Sequence, residues 1–573
     1  MIKDIPNMPY RIPKLISAII LAIILLLIGL SFTIASAAEN TFVINNTLDR
    51  DDASPGDGVC DSDATLSGEQ CTLRAAISEA NASAGVFTIT VPAGTYTLAI
   101  TGTHEDDNVT GDLDINSDIH LIGAGPDQTI IQGGATISQS VDRVFHILNG
   151  INTLLIRDLT IRHGYIANSG TVVGQIDDGA GIFVVGQPNA TVHIQNTKIT
   201  HNHNLDLRED GGGLANMGGG TVIIRDSEIS HNKLRGELGS SGGGIFSVFG
   251  SDTIIFNSVI SENFAGGKGG GIYTNRDGAT VRISQSLIAN NYATDIGGGI
   301  QSGATVYLTN TTVSGNATAS TGGGVSNDSP ESQLYLYHTT IANNIADFDQ
   351  DNHGDGGGIH LISGTIIMSN SIIAGNWQGD NTANDCTVDR PIVSTYSLIQ
   401  TMTGCLITGT NLLTNTDPHL RPLADYGGQP STHALSSTSP LIDLVPLKSS
   451  GCDTNISQDQ IGQARPLGSG CEPGAYEWQA YQLTIHIAGE GKGTVSSLPT
   501  NHLCSEDCSQ LYDYGTEVAL IAIAADNSEF LGWSGDLSGG TSAFPLLLRS
   551  DKVVTATFGI KPPDYLYLPM VLR

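Results

Sequence analysis

Positive charge is what this 573-residue chain has least of. Lys and Arg total 25 against 57 Asp and Glu, a net charge of −32. Nucleic-acid phosphates need Lys and Arg to displace their counterions, so this balance argues against a nucleic-acid partner. It argues equally against adhesion to anionic lipid. A three-residue glycine period is also missing, although Gly numbers 70, which excludes a collagen-like chain. Low hydrophobicity is missing too: a 39% apolar share is globular and excludes wholesale disorder. After the N-terminus no apolar run is long enough to span a bilayer. The surplus of carboxylates favours solubility and, where they cluster, a divalent cation.

The one long apolar run reads as an export signal. Arg11 and Lys14 form its charged part, Leu15 to Leu30 its core, and Ala35-Ser36-Ala37 a small-residue cleavage pattern. Residues 1–37 are therefore expected to be removed, leaving a secreted or cell-surface chain with no membrane span. The run is also long enough to stay as an uncleaved anchor. No Cys follows it, which argues against a lipoprotein. Eight Cys in an exported chain suggest disulfides, and the simplest of many connectivities is sequence-local: Cys60/Cys71, Cys386/Cys405, Cys452/Cys471 and Cys504/Cys508. None of these couples has a zinc-site companion set nearby.

Glycine clusters recur at Gly179, Gly211, Gly242, Gly269, Gly297, Gly322 and Gly356, at intervals of 32, 31, 27, 28, 25 and 34 residues. Each is followed by a block such as TVIIRDSEISHN, which ends on an aliphatic anchor. The anchors are Ile199, Ile229, Ile260, Ile288, Val313, Ile341 and Ile373. Five residues before them stand Ile194, Ile224, Ile255, Ile283, Leu308, Leu336 and Met368. Two residues earlier still, Val192 and Val222 begin a row that alternates with polar residues, as in a strand with one buried face. A step of five is odd, so strict alternation would turn the anchor outward. The chain must bend between the two positions, near Asp226-Ser227 and its equivalents. Three residues after each anchor comes Asn: 202, 232, 263, 291, 316, 344 and 376. Asn tolerates left-handed backbone, and stacked amides can bond from coil to coil. Glycine suits the tight corner; an aliphatic strand rather than a helix follows it, so a phosphate cradle is rejected.

The GG[AG]I cluster and Asn-ended block, over Asp178 to Asn376, resemble the polymorphic outer membrane protein repeat, which implies a right-handed parallel β-helix. Cys71-Thr72-Leu73-Arg74-Ala75-Ala76-Ile77 resembles the CSLREA-type N-terminal domain of secreted bacterial β-helix proteins. Bottom-up, Leu73 to Asn81 is a short amphipathic helix that would cap the open end of the solenoid. The segment from Asp417 to Asp443, then DQIGQARP and CEPGAYE, resembles a choice-of-anchor Q region and is expected to complete the last coils. Tyr481 to Phe558 resembles the divergent internalin-type B-repeat, with Trp533 in its core. The fold class is thus all-β: a parallel β-helix with a small β-grasp-like C-terminal domain. Expected boundaries are 1–37 signal, 38–100 cap and first strands, 101–478 β-helix with its Q-like end at 384–478, 481–560 B-repeat-like domain, and 561–573 tail.

Chemistry is expected in the loops between the Asn and the glycines, because insertions in a solenoid collect on one face. These loops carry Asp177 and Asp178; Arg208, Glu209 and Asp210; Lys233, Arg235 and Glu237; Asp295; and Asp347 to Asp355. Asp347, Asp349, Asp351 and Asp355 read DxDxDNxxD, which resembles a thrombospondin-type calcium loop. Carboxylates at alternate positions can converge on one hard cation, so Ca2+ is the cofactor this pattern admits; a solvated acidic loop is the other reading. One residue after each Asn runs a strip: His203, Lys233, Phe264, Tyr292, Ala317, Ile345, Trp377. Phe264, Tyr292 and Trp377 could stack on a glycan, or pack beneath the loops. No motif fixes a catalytic residue. His353, Lys268 and the Asp178/Asp210 pair are candidates for a polysaccharide lyase or glycosidase, yet acidic residues before a glycine corner also form turns. The function expected first is non-catalytic binding of an extracellular polysaccharide or surface partner. A carbohydrate-active enzyme on the same fold is the alternative, separated by whether carboxylates and a base converge on one strand face.

Overall fold

The bend demanded by the five-residue step is made by one left-handed residue per coil. Asp158, Asn196, Asp226, Asn257, Gln285, Asn310, His338 and Asn370 all have φ near +50°. The computed structural model describes residues 40–103, 105–166, 178–186, 188–205, 210–235, 240–275, 277–379, 381–454 and 456–562. The expected signal peptide, residues 563–573 of the tail and the loop residues Asp177, Arg208, Glu209 and Glu237 lie outside them. Beside each bend, Ser or Thr hydroxyls form a ladder between coils. Ser227 Oγ accepts from Thr197 N–H at 3.1 Å, Ser258 Oγ from Ser227 N–H at 3.2 Å, and Ser286 Oγ from Ser258 N–H at 3.2 Å.

Each coil contributes to three parallel sheets. The largest holds the two strands flanking the bend, such as Thr221–Arg225 and Glu228–Ser230. A ten-stranded sheet holds the segment after each glycine cluster, for example Leu214–Met217 and Ile245–Val248. A nine-stranded sheet holds two-residue strands just after each Asn, such as Phe264–Ala265 and Tyr292–Ala293. The fold is a right-handed parallel β-helix. Its core is the aliphatic stack read from the repeat: Val192, Ile194 and Ile199 register with Val222, Ile224 and Ile229, all buried.

The regular spacing of Asn makes an unbroken ladder. Nδ2 of Asn202, Asn232 and Asn263 each donates to Oδ1 of the next Asn at 3.0 Å. Asn291, Asn316 and Asn344 do the same at 2.9 Å, and Asn376 ends the series on Asp385 Oδ1 at 2.9 Å. The left-handed residue is not the Asn, however, but its predecessor: His201, His231, Glu262, Asn290, Gly315, Asn343 and Gly375. Two of those seven are Gly and two are Asn, so this position is set by local backbone and not by one side chain. The glycine clusters fit closely against the ladder. Gly269 has φ +64°, and a Cβ on Gly271 would stand 2.6 Å from Gly299 O and 3.0 Å from Asn291 Nδ2.

At the N-terminal end the helix α1 (Leu73–Ala82) is capped by Thr72, whose hydroxyl accepts from Ala75 N–H at 3.1 Å. Its Arg74 is buried, paired with Asp49 at 2.7 Å and donating to the carbonyls of Gly111 and Asp112, both at 2.8 Å. α1 thereby ties the first coils together. At the other end the coil strands stop at Leu413–Thr414. Residues 417–478, expected to complete the helix, instead run back across the outside of the largest sheet. Thr312 Oγ1 meets Thr432 Oγ1 at 2.9 Å, Ser314 Oγ meets His433 Nε2 at 2.9 Å, and Ala475 N–H donates to Thr340 Oγ1 at 3.0 Å. Pro418, Pro422, Pro430 and Pro440 lack the N–H that a coil strand needs, which keeps this strap out of the ladder.

The C-terminal module is two four-stranded sheets. One contains Ala480–Ala488 and Lys552–Ile560, the other Gly493–Leu498 and Thr516–Ala524. Trp533 is buried between them, its Nε1 donating to Thr541 O at 2.9 Å. The module meets the strap through Trp478 Nε1, which donates to Asp513 Oδ1 at 3.1 Å, and Arg421, which donates to Tyr514 O at 2.6 Å. All eight Cys are disulfide-bonded as Cys60–Cys71, Cys386–Cys405, Cys452–Cys471 and Cys504–Cys508. Among the described residues no helix is long and apolar enough to cross a membrane.

Candidate functional site

Two-residue strands after each Asn leave one side chain inward and one outward, so the strip read from the sequence is a true register row. His203, Lys233, Phe264, Tyr292, Ala317, Ile345 and Trp377 are successive partners. Phe264 stacks on Tyr292 with centroids 5.5 Å apart at 18°, and Lys233 Nζ lies 5.5 Å from the Phe264 centroid. His203 is held neutral: burial, then Lys233 beside it, pushes its pKa down to about 4. Ala317 leaves a gap in the row, and Phe348 fills it. Phe348 N–H donates to Thr318 O at 2.9 Å, which brings the loop back over the preceding coil and sets the ring edge-on to Tyr292 at 5.8 Å. Phe348 and Trp377 are 53% and 40% exposed. With Ile345, Gln350, Gln378 and Asn381 they line a cleft of about 510 Å3.

The acidic loop closes onto the same face. Asp347, Asp349 and Asp351 each place a carboxylate oxygen within 4.8 Å of the others. Asp347 is buried and Asp347 Oδ1 accepts from Asn352 N–H at 3.1 Å, which folds the loop; Asp349 and Asp351 are exposed. Asp349 sits close enough to Tyr292 to add to the burial that raises the pKa of that hydroxyl. The donors are all oxygen, which fits a hard dication, with carbonyls and water needed to complete six to eight ligands. Asp355, the fourth residue of the pattern, is elsewhere: its Oδ1 lies 3.2 Å from His360 Nε2. The loop turns through left-handed Gln350 and Asn352 and carries Asp355 to the corner of the next sheet. His353, 81% exposed at its side chain, pairs with Asp351 at 3.1 Å.

The outward row of the ten-stranded sheet is a second constellation. Asp114, His146, Phe183, Ala215, Phe246, Tyr273, Gln301, Ser326, His360 and Thr387 follow in register. Gln301 Nε2 donates to Asp328 Oδ1 at 2.7 Å, and Lys268 Nζ is 3.9 Å from Asp328 Oδ2. Burial, then Asp210 and Asp328, pushes the Tyr273 hydroxyl up to about 12. Burial holds His360 below the usual imidazole range, against the pull of Asp355, Asp389 and Asp328. His360 Nδ1, Ser326 Oγ and Gln301 Oε1 are buried without a hydrogen-bond partner. Asp178 and Asp210, by contrast, serve the corners: Asp178 Oδ1 accepts from Asp210 N–H, and Asp210 Oδ1 from Ser241 N–H, both at 2.5 Å. Sequence reasoning named Lys268 but missed Tyr273, Gln301, Ser326, Asp328 and His360. The signal was present, since Phe246, Tyr273, Gln301, Ser326 and His360 each directly follow a GGGI or GGGV.

Residues 144–344 match the family described as the right-handed β-helix region, and residues 483–562 the divergent InlB B-repeat domain. No curated protein matches the chain. Among solved structures, the pectate lyase Pel9A is similar at 16% identity and a TM-score of 0.41, over 77% of this chain and 97% of that one. The A-module of the Azotobacter vinelandii mannuronan C-5 epimerase AlgE6 is similar at 19% identity and a TM-score of 0.29, over 63% of this chain and 97% of that one. ORF18 of Geobacillus virus E2 is similar at 14% identity and a TM-score of 0.23, over 55% of each chain.

Proposed function

We propose that this chain is an extracellular protein that binds polysaccharide along the nine-stranded sheet, with Ca2+ held by Asp347, Asp349 and Asp351 at the edge of the binding strip. The observation that carries the reading is the junction of Phe264, Tyr292, Phe348 and Trp377 with three carboxylates on one outward face. Flat aromatic rings bury the apolar faces of sugars at little entropic cost. A chain of net charge −32 repels acidic glycans, so a bound dication would give such a ligand its anchor. Four disulfides agree with an oxidising compartment. The N-terminal run with its Ala35-Ser36-Ala37 pattern supplies the export route.

A panel of neutral and acidic polysaccharides, tested by affinity electrophoresis with and without Ca2+, examines this directly. Trp377→Ala and Tyr292→Ala are each expected to weaken binding about tenfold, because each forfeits roughly 1.5 kcal/mol of buried apolar surface. Trp377→Ala leaves the melting temperature nearly unchanged, the ring being 40% exposed. Retention that is the same in both variants and wild type removes the strip from the reading. For the cation, Ca2+ is expected to raise the melting temperature of wild type and not of Asp349→Asn. An equal melt in Ca2+ and in chelator refutes the Ca2+ assignment.

A second reading, a carbohydrate-active enzyme, is favoured by one arrangement. The His360–Asp355 and Lys268–Asp328 pairs converge on the ten-stranded face. An imidazole kept neutral by burial beside a carboxylate is suited to take a proton from a sugar. The same polysaccharide panel, followed for unsaturated products and for reducing ends, separates the two. Turnover that disappears in His360→Gln supports the enzyme, and silence across the panel leaves binding alone.

A further inference from the structure

The ten-stranded row begins with a cluster that neither reading uses. Asp114, on the strand Leu113–Ile115, is the register partner of His146, on Phe145–Ile147. A loop before Asp114 brings Asp106 to the same point. That loop is firmly tied. Glu105 accepts N–H bonds from Asp107, Val109 and Thr110, at 2.9, 2.9 and 2.6 Å. Asn108 is buried, donates from its backbone to Asp114 Oδ2 at 3.1 Å, and accepts from Asp114 N–H at 3.1 Å.

This leaves three ligand atoms around one point. His146 Nδ1 is 3.2 Å from Asp114 Oδ1 and 3.4 Å from Asp106 Oδ1, and the three groups lie within 4.8 Å of one another. Asp114 is 0% exposed, and its Oδ1, aimed into the cluster, meets no donor but the His146 ring. A single imidazole proton on Nδ1 could serve only one of the two carboxylates facing it. A metal ion would serve both. Zinc-to-nitrogen and zinc-to-oxygen bonds of about 2.0–2.1 Å put tetrahedral ligands roughly 3.3–3.4 Å apart, close to the two separations seen. Phe183 stacks flat on the imidazole at 5.1 Å and 8°, fixing its plane. Nearby Arg143 pairs with Asp112 at 2.9 Å.

We infer that Asp106, Asp114 and His146 form a binding site for a first-row transition-metal dication, of which Zn2+ is the probe, with one coordination position open to water or a ligand. One imidazole with two carboxylates selects such an ion over Ca2+, which prefers oxygen alone. Three protein ligands and an open position are the pattern of an exchangeable site. The site lies on the first coils and is independent of the Asp347 loop.

The test is equilibrium dialysis of the full mature chain against Zn2+ in excess Ca2+, with X-ray absorption on the loaded protein. Saturable uptake at that site, with nitrogen and oxygen neighbours and no sulfur, is expected. His146→Gln and Asp106→Asn should each weaken it by at least the 10- to 100-fold typical of losing even an outer partner. Asp106→Asn leaves the melt in chelator unchanged, and Asp349→Asn leaves Zn2+ uptake unchanged. Asp114 is not substituted, since it also holds Asn108. No saturable uptake at about 0.1 mM Zn2+, a weak affinity by any standard, overturns the inference. Uptake identical in His146→Gln, Asp106→Asn and wild type overturns it too, as does a sulfur neighbour.

Discussion

Replacing Asn291 by alanine is expected to cost about 3–5 kcal/mol, more than any single exposed substitution in the coils, because it strands several buried groups at once. Its Oδ1 accepts two bonds, from the backbone N–H and the Nδ2 of Asn263, both at 3.0 Å. Its Nδ2 gives two, to Ile260 O and Asn316 Oδ1, both at 2.9 Å. Alanine removes all four, and the added space is too tightly bounded by Gly271 for easy relief. Asn291→Asp should be nearly as harmful, since a carboxylate cannot donate and would face the Ile260 and Asn316 oxygens. The chain already shows where Asp is tolerated. Asp385 ends the ladder, where only acceptance is required, from Asn376 N–H at 3.1 Å, Asn376 Nδ2 at 2.9 Å and Thr401 N–H at 2.6 Å. Coils in a solenoid contact mainly their neighbours. Hydrogen exchange in Asn291→Ala should therefore accelerate first in residues 259–318 and leave the C-terminal module protected. A melting temperature within about 2 °C of wild type, as for a surface substitution, would falsify the ladder's energetic role.

What made the ladder legible was its strict three-residue offset from an aliphatic anchor, which no surface accident repeats seven times. The bend was legible for a related reason: an odd step between two buried residues has no straight-strand solution. The Ser and Thr ladder beside it was not, because hydroxyl residues are common in polar stretches and their coil-to-coil bonding shows only once the register is known. Assigning left-handed backbone to the Asn missed by one position, since that conformation is occupied by His, Glu, Gly and Asn alike.

The candidate site divides in the same way. Phe264, Tyr292 and Trp377 were found because they share the Asn offset. Phe348 was not, because it reaches the strip through a loop that folds back on the coil before it. Asp347, Asp349 and Asp351 converge as their alternation suggests, but spacing alone could not tell that Asp355 would leave for His360. The strap was least legible. Its contacts, such as Thr312 with Thr432, join residues 120 apart and obey no local period.

The strap hangs on Arg465, and Arg465→Leu is expected to destabilise the protein by about 3–5 kcal/mol, the usual loss when a buried charge pair is broken from one side. Among the described residues, Arg465 is the one cation beside the buried carboxyls Asp459, Glu472 and Glu477. It donates to Glu472 O at 2.7 Å and Gly474 O at 3.1 Å, contacts the His338 ring, and pairs with Glu477 Oε2 at 3.3 Å. One guanidinium does not offset three carboxyls in so dry a place. Burial above all, with Glu472 adding repulsion and Arg465 opposing, pushes Glu477 up to about 8. The pH dependence follows in sign. Unfolded, Glu477 releases its proton near 4.5; folded, it keeps it until about 8. The native state thus binds more protons between those limits, so its stability falls as pH rises across that window and levels above it. Glu477→Gln, neutral at every pH, should flatten that slope while keeping the strap docked, the remainder belonging to Asp459 and Glu472, whose pKa values burial also raises. Limited proteolysis within 417–478, followed from pH 5 to 9, reads the same loosening locally. An unchanged slope in Glu477→Gln would assign the pH response to other groups, and resistance of the strap in Arg465→Leu would show that Thr312, Ser314 and Thr340 hold it without the buried charge.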